Sequence, residues 1–100
     1  MPHAHSTGAL SGVKVLDLSR VLAGPWSTQI LGDLGADVIK VESFQGDDTR
    51  QWGPPFIDNE AHDSAYYLSA NRNKRSLAID LTKPAAPALI RALAQQADVV

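Results

Sequence analysis

The sequence predicts an α/β fold, a Rossmann-like open parallel sheet with helices on both faces. Three observations support this class. Short apolar runs rich in strand formers recur along the chain, stretches with apolar residues at helical spacing separate them, and Pro or Gly marks the ends of those stretches. With 100 residues, 44% apolar and 20% charged, the composition is typical of a globular domain with one core.

The first half of the chain has the pattern of a strand, a helix and a second strand. Val and Leu form a nearly continuous apolar run over 13–18, which is typical of a strand covered on both faces. A helix is predicted to begin at Pro25 and to end at Gly35. Its apolar face would consist of Trp26, Ile30, Leu31 and Leu34. The second strand follows over 38–42, and a right-handed crossover would make the two strands parallel.

The second half begins with a polar segment over 43–64, rich in Gly, Pro, Asp and Asn, which predicts a long surface excursion. A short helix is expected over 65–70, and alternation at Leu77, Ile79 and Leu81 predicts a third strand. A last helix would begin near Pro84. Its apolar stripe would consist of Leu89, Ile90, Leu93 and Ala97. The residues Asp98, Val99 and Val100 have the pattern expected at the start of a fourth strand.

Charge and residue usage exclude several classes of function. A formal charge of −2 provides no whole-chain field for nucleic acid, and the absence of Cys excludes disulfides and thiolate chemistry. No apolar run approaches the roughly 18 residues of a membrane span, and 1–11 lacks the features of a secretory signal. We expect a cytoplasmic protein that binds neither nucleic acid nor membrane, with 1–11 as a flexible lead-in. His3 and His5 in that segment have no further metal ligand nearby.

Ligands of open α/β sheets bind beyond the carboxyl ends of the strands. The segments expected to meet there are 19–24, 42–43 and 81–83. Amide groups before the helix at Pro25 suit a phosphate or carboxylate, although a tight connection that uses Gly24 for its backbone freedom explains the same pattern. Glu42 is placed to bind a ribose hydroxyl, but the G-x-G-x-x-G fingerprint of dinucleotide sites is absent, which argues against a nicotinamide or flavin cofactor.

Two charged clusters invite a chemical interpretation. The run NRNKR over 71–75 suits a phosphate-rich ligand, and a solvated loop explains it more simply. In GDDTR, Asp47 and Asp48 lack the third ligand of a hard-metal site. We expect one of them to cap a short helical turn and Arg50 to pair with a carboxylate or ligand. His62 has no partners at triad spacing and is expected to be a surface histidine.

Four segments, in this order and spacing, closely resemble the class III CoA-transferases of the formyl-CoA and carnitine CoA-transferase type. They are LSGVKVLDLSRVLAGP at 10–25, LGADVIKVE at 34–42, GDDTRQWGPP at 46–55 and NRNKRS at 71–76. The resemblance covers about 10–100. It implies that 12–100 is a partial, truncated N-terminal CoA-binding domain of a larger α/β protein, in which two chains interlock as a homodimer.

The resemblance also implies a reaction in which CoA moves between an acyl-CoA thioester and a carboxylic acid, with CoA as a substrate and no further cofactor. A catalytic aspartate attacks the thioester, and an enzyme aspartyl-CoA thioester follows the mixed anhydride. In the family pattern that aspartate lies after Val100, so no catalytic residue is expected in this chain, which would be inactive alone. The alternatives are a non-catalytic CoA-binding module and an acyl-CoA racemase relative.

Several site residues are implied by the matching motifs. The expected CoA contacts are Leu22, Ala23, Ser43, Ile79, Asp80, Leu81 and Thr82. Ser43 stands where relatives often carry Arg, so a phosphate contact is expected either to be lost or to move to Arg72, Lys74 or Arg75. Arg20 and Trp52 are expected at the acyl pocket. Arg20 and Leu22 replace the His and Gln of the formyl-CoA type, which argues against oxalate or formate, and a dicarboxylic acyl group such as succinyl is compatible with the resemblance.

Overall fold

Three parallel strands form the centre of the structure, a computed structural model that describes residues 8–100. They are β1 (Lys14–Asp17), β2 (Asp37–Glu42) and β3 (Lys74–Ala78), in the order β1–β2–β3. A parallel bridge also joins Val99 to Val15 of β1. The predicted α/β class with a parallel sheet is confirmed. His3 and His5 lie outside the described residues.

The helices are α1 (Ala23–Asp33), α2 (Ala65–Ser69) and α3 (Ala86–Gln95), and a 3-10 turn covers Asp48–Gln51. The prediction placed the third strand around 77–81, whereas β3 begins at Lys74 and ends at Ala78. The strand begins earlier because Lys74 and Arg75 find acidic partners beside the sheet, which lets charged residues take strand positions. No helix within 8–100 is both long and apolar enough to cross a membrane.

The two faces of the sheet carry separate apolar clusters, because neighbouring strand residues point to opposite faces. Leu16, Val41 and Ile79 pack with Ala86 and with the α3 side chains on one face. Val15, Ala36 and Val38 pack with Leu10 and Leu31 on the other face. The predicted stripe of α3 is therefore confirmed at Ile90, Leu93 and Ala97, whereas Leu89 is exposed.

The predicted inner face of α1 was largely wrong. Trp26 is 55% exposed and Ile30 is 48% exposed, and Leu34 also faces outward, so that only Leu31 of the predicted set packs on the core. The buried residues of α1 are Pro25, Gln29 and Gly32.

The physical reason is that the groups below α1 are polar, since Asp17 of β1 accepts the Thr28 hydroxyl and the segment from the end of α2 to β3 offers backbone groups to Gln29. The Gln29 amide group donates to the Ser69 carbonyl at 3.1 Å, and its side-chain oxygen accepts the Arg72 amide at 2.9 Å. Gly32 allows a close approach, because a Cβ there would lie 3.0 Å from the Asn73 carbonyl oxygen. The face of α1 that meets the sheet is therefore its small and polar one.

Candidate functional site

A cleft of about 290 Å³ opens at the carboxyl edge of the sheet, where ligands of this fold class bind. Residues after β1, at the end of β2 and after β3 meet in its walls. The lining residues are Leu18, Arg20, Val41, Glu42, Ser43, Gly46, Asp47, Leu81 and Ile90. The cleft contains a member of each of the three segments that the sequence placed at this edge.

The cleft combines apolar walls with one exposed cation. Leu18, Val41, Leu81 and Ile90 provide the apolar surface. The Arg20 side chain is 69% exposed, and its nearest acidic partner is Asp48, at 3.9 Å and similarly exposed. Because an exposed pair at this distance is weak, the guanidinium is available to an anionic ligand. The site therefore suits a molecule with a flat or apolar part and a negatively charged part.

A fully buried ion pair lies behind the cleft. Lys40 Nζ donates to Asp47 Oδ2 at 2.8 Å and to the Ser19 carbonyl at 3.2 Å, with almost no solvent contact at either charged group. The amide and hydroxyl of Thr49 donate to Asp47 Oδ1 at 3.0 and 2.9 Å. Burial alone would raise the pKa of the Asp47 carboxyl, but hydrogen bonds from Lys40 and Thr49 more than offset this and hold the pKa at about 2.

A second buried carboxylate, Glu42, anchors the segment after β2. Arg50 donates to it through Nε and Nη2, both at 2.7 Å, and Tyr67, Ser76 and the Asp47 amide also donate. Burial would raise the pKa of Glu42, but these hydrogen bonds lower it to about 2. Burial, and then the charge of Glu42, raises the pKa of Tyr67. Since protein groups occupy the oxygens of Glu42, the ribose contact considered for this residue has no support.

A third buried pair joins β1 to β3 under α1. Lys74 Nζ lies 3.0 Å from Asp17 Oδ2 and also donates to the Pro25 carbonyl and to Asn71. Burial opposes ionisation of Asp17, and hydrogen bonds from Ser19 and Thr28 outweigh it and lower the pKa. Burial lowers the pKa of Lys74, partly offset by Asp17.

Sequence reasoning missed this polar layer. The available signal was the alternation in β2, where Val38, Lys40 and Glu42 share one face of the strand while Ile39 and Val41 share the other. That alternation ordinarily marks a solvent-exposed face. Here the 43–52 segment, α1 and α2 cover it, and opposite charges inside the layer compensate one another.

The three cations of NRNKR, which the sequence suggested as phosphate ligands, form ion pairs with acidic residues of this chain. Arg72 pairs with Asp33 at 2.6 Å and Arg75 pairs with Asp37 at 2.7 Å, near the amino end of the sheet. Lys74 is buried against Asp17. None of the three lines the 290 Å³ cleft. Their role in phosphate binding stays a prediction, and all three already have acidic partners within this chain.

Other predicted contacts lie around the cleft or apart from it. Leu22 and Ala23 are exposed at the start of α1, and Ile79 is buried in the core. Asp80 Oδ1 accepts the amide and hydroxyl of Thr82 at 3.1 and 2.6 Å, which shapes the turn beside Leu81. Trp52 is 44% exposed and stacks edge-on against Tyr66, with ring centroids 5.2 Å apart.

The predictions for GDDTR and His62 are confirmed. The Asp47 side chain caps the 3-10 turn by accepting the Thr49 amide, and Arg50 pairs with Glu42. His62 is exposed and stacks on Phe56, with ring centroids 4.5 Å apart.

Comparison with known proteins gives one consistent result. The model of "CoA-transferase family III" matches residues 10–100. A succinate–glutarate CoA-transferase of Agrobacterium fabrum (strain C58) is 57% identical over 95 residues, covering 91% of this chain and 24% of the relative. A human succinyl-CoA:glutarate CoA-transferase is 58% identical over 91 residues, covering 90% of this chain and 20% of the relative.

A crystal structure of a CAIB/BAIF family protein from Brucella suis superposes with a TM-score of 0.85 at 54% identity, covering 92% of this chain and 25% of that chain. The chain thus spans about a quarter of the length of the proteins it matches. The fold comparison and the sequence comparisons agree. The chain belongs to CoA-transferase family III.

Proposed function

We propose that this chain is the CoA-binding N-terminal part of an enzyme that transfers CoA between an acyl-CoA thioester and a carboxylic acid. The observation that carries this proposal is the cleft at the carboxyl edge, where Arg20, Ser43 and Leu81 come together from three separate segments. Curated relatives that carry the CoA-transferase name match nearly the whole chain, which supports the reaction class.

The apolar walls of the cleft and the exposed Arg20 support a site for the nucleotide part of CoA. We propose that the adenine ring packs on Leu81 and its apolar neighbours and that Arg20 faces a phosphate. Ser43, with Leu22 and Ala23 at the start of α1 and Thr82 beyond β3, would complete the contacts. Arg72, Lys74 and Arg75 are left out of this proposal, because Asp33, Asp17 and Asp37 already compensate their charges.

The nucleophilic aspartate of the aspartyl-CoA intermediate is proposed to lie after Val100. A carboxylate that attacks a thioester must reach the substrate unencumbered. Asp17 and Asp47 are buried in ion pairs, and Asp33 and Asp37 are bound by arginines. These ion pairs support a structural role for the four aspartates, and we propose that the 100-residue chain binds CoA without turnover.

A dicarboxylic acyl group is the proposed substrate. The names of the Agrobacterium and human relatives contain succinate or succinyl-CoA and glutarate, which are dicarboxylic acids or their derivatives. A second carboxylate needs a cationic or strongly donating contact, and we propose that the indole N–H of the half-exposed Trp52 supplies it. We further propose that the complete protein is a cytoplasmic homodimer, as the family resemblance implies.

The proposal is tested with the complete protein by titration calorimetry with CoA and by a transfer assay with succinyl-CoA and glutarate. Leu81→Trp fills the cleft and is expected to weaken CoA binding at least about tenfold. Leu89→Trp is the matched control, because Leu89 is also exposed but lies outside the cleft lining on α3. No heat with CoA, or equal effects of the two variants, would contradict the proposed site.

A further inference from the structure

Val21 has a left-handed backbone, with φ of 73°, in the turn that joins β1 to α1. Residues with a Cβ clash sterically there, and β-branched residues clash most. A glycine would adopt this conformation without strain, yet the chain has Val at this position. The surrounding contacts must therefore hold the turn in place.

Those contacts come from one buried ion pair. The Val21 amide donates to Asp47 Oδ2 at 3.2 Å, and the same oxygen accepts Lys40 Nζ at 2.8 Å. Lys40 also donates to the Ser19 carbonyl at 3.2 Å. The pair thus binds the turn on both sides of Arg20.

The Asp47 carboxylate has little freedom to move. Its other oxygen accepts the amide and hydroxyl of Thr49, and its own amide donates to Glu42 Oε1 at 2.8 Å. Its side chain is fully enclosed. A rigid acceptor at this place determines where the Val21 amide must point.

The direction of the Val21 amide affects the cleft, because Arg20 precedes Val21 and lines the cleft while Leu22 follows it and begins the helix. We propose that Asp47, supported by Lys40, is a positioning residue for CoA binding: it holds Val21 left-handed and so directs Arg20 into the cleft. This inference rests on the proposed function. It assigns a positioning role to Asp47, which belongs to the buried ion pair behind the cleft.

The first test is steady-state transfer by the complete protein with Asp47→Asn. Because an amide is a weaker acceptor for a charged donor, we expect KM for succinyl-CoA to rise about tenfold while kcat stays within about twofold. Asp37→Asn is the control, since it breaks a pair with Arg75 near the amino end of the sheet. Its KM is expected to equal that of the parent protein.

The decisive test is rescue. Val21→Gly in the Asp47→Asn background removes the steric reason for holding the turn, so KM is expected to return to within about threefold of the parent value. If Asp47→Asn lowers Tm and leaves KM unchanged, or if the added glycine restores nothing in a folded double variant, the positioning role is wrong.

A second pair of variants leaves the buried charges intact, which matters if Asp47→Asn does not fold. Val21→Pro fixes φ near −65° and lacks the amide hydrogen, so KM is expected to exceed that of Val21→Gly by about tenfold. Equal KM values for these two variants would overturn the proposal. Failure of the parent protein to bind CoA or to transfer it would instead refute the proposed function, and the positioning role with it.

Discussion

At the scale of single residues, the least expected feature is the number of charged side chains with almost no solvent contact. Lys40 and Asp47 form one enclosed pair, and Asp17 with Lys74 forms another. Each charge finds its partner within 3.0 Å, and no buried side-chain polar atom within 8–100 is left without a hydrogen bond. Removing one member of such a pair is costly, because the remaining charge stays buried.

Lys40→Met is therefore expected to destabilise the complete protein by about 3–5 kcal/mol, because Asp47 would keep its charge without its main partner. Arg75→Met is the matched control. Its pair with Asp37 is partly exposed, so the expected cost is under about 1 kcal/mol. Urea denaturation midpoints measure both. Similar shifts in the denaturation midpoints of the two variants would show that the buried pair stabilises the fold no more than the partly exposed pair does.

Glu42 makes stability depend on pH in the acid range. Its pKa is about 2 in the folded chain against an ordinary value of 4.5, so the unfolded chain binds the proton more tightly. The stabilisation is present above about pH 5 and is lost as the pH falls toward 2, on the order of 2–3 kcal/mol.

Glu42→Gln should reduce this acid dependence, to which the low pKa of Asp47 also contributes, whereas Glu60→Gln, at an exposed position on the polar segment, should leave it unchanged. Denaturation midpoints at a series of pH values between about 3 and 7 give the comparison. An unchanged slope in Glu42→Gln would contradict the assignment.

At the scale of elements, α1 shows how a helix can present its apolar side to solvent. Its small and polar residues, Pro25, Gln29 and Gly32, face inward, because the segment from the end of α2 to β3 offers carbonyls and amides there. Trp26 and Ile30 are left outside. The amphipathic pattern correctly identified the apolar side of the helix. Whether that side faces the core or the solvent depends on the surface that the helix meets.

Gly32→Ala tests this packing. Alanine favours a helix over glycine by about 1 kcal/mol, yet its Cβ would lie 3.0 Å from the Asn73 carbonyl oxygen. Because the neighbour is backbone, we expect a net destabilisation of about 1–3 kcal/mol. Ser27→Ala, at an exposed position of α1, is the control and should change stability by less than about 0.5 kcal/mol. Stabilisation by Gly32→Ala would show that α1 can move away from the Asn73 carbonyl at little cost in free energy, which would contradict the close packing.

At the scale of the whole molecule, the described residues combine an exposed strand with an exposed apolar helix side. Most of β3 is accessible, and Trp26, Ile30 and Leu34 form a stripe on α1. Surfaces of this kind ordinarily pack against further protein. The relatives, about four times as long, contain additional chain that this segment lacks.

We expect the isolated 100-residue polypeptide to self-associate and not to form a stable monomer. Trp26→Lys combined with Ile30→Lys should reduce this association, because the two charges interrupt the apolar stripe. Sedimentation velocity at several concentrations measures it, and Arg91→Lys on α3 is a charge-conserving control. A sharp cooperative melt of the unaltered polypeptide as a monomer would contradict the expectation.

Local pattern was enough to predict much of the fold. Apolar runs located β1 and β2, helical spacing located α1 and α3, and the GDDTR motif predicted the capped turn and the Arg50 pair. These features depend on neighbours within a few residues, which the sequence contains directly. The general rule for parallel sheets then placed the ligand cleft at the carboxyl edge.

The sequence by itself thus determined the fold class, the family motifs and the edge of the sheet at which the cleft lies. Only the tertiary structure decided that Lys40 and Asp47 are buried, that NRNKR is neutralised by distant aspartates and that Val21 is held left-handed. These outcomes depend on contacts between residues far apart in the chain. A charged residue whose neighbours in the sequence suggest solvent exposure can be buried when a residue far along the chain supplies the opposite charge. That ion pair compensates the free-energy cost of removing the charge from water.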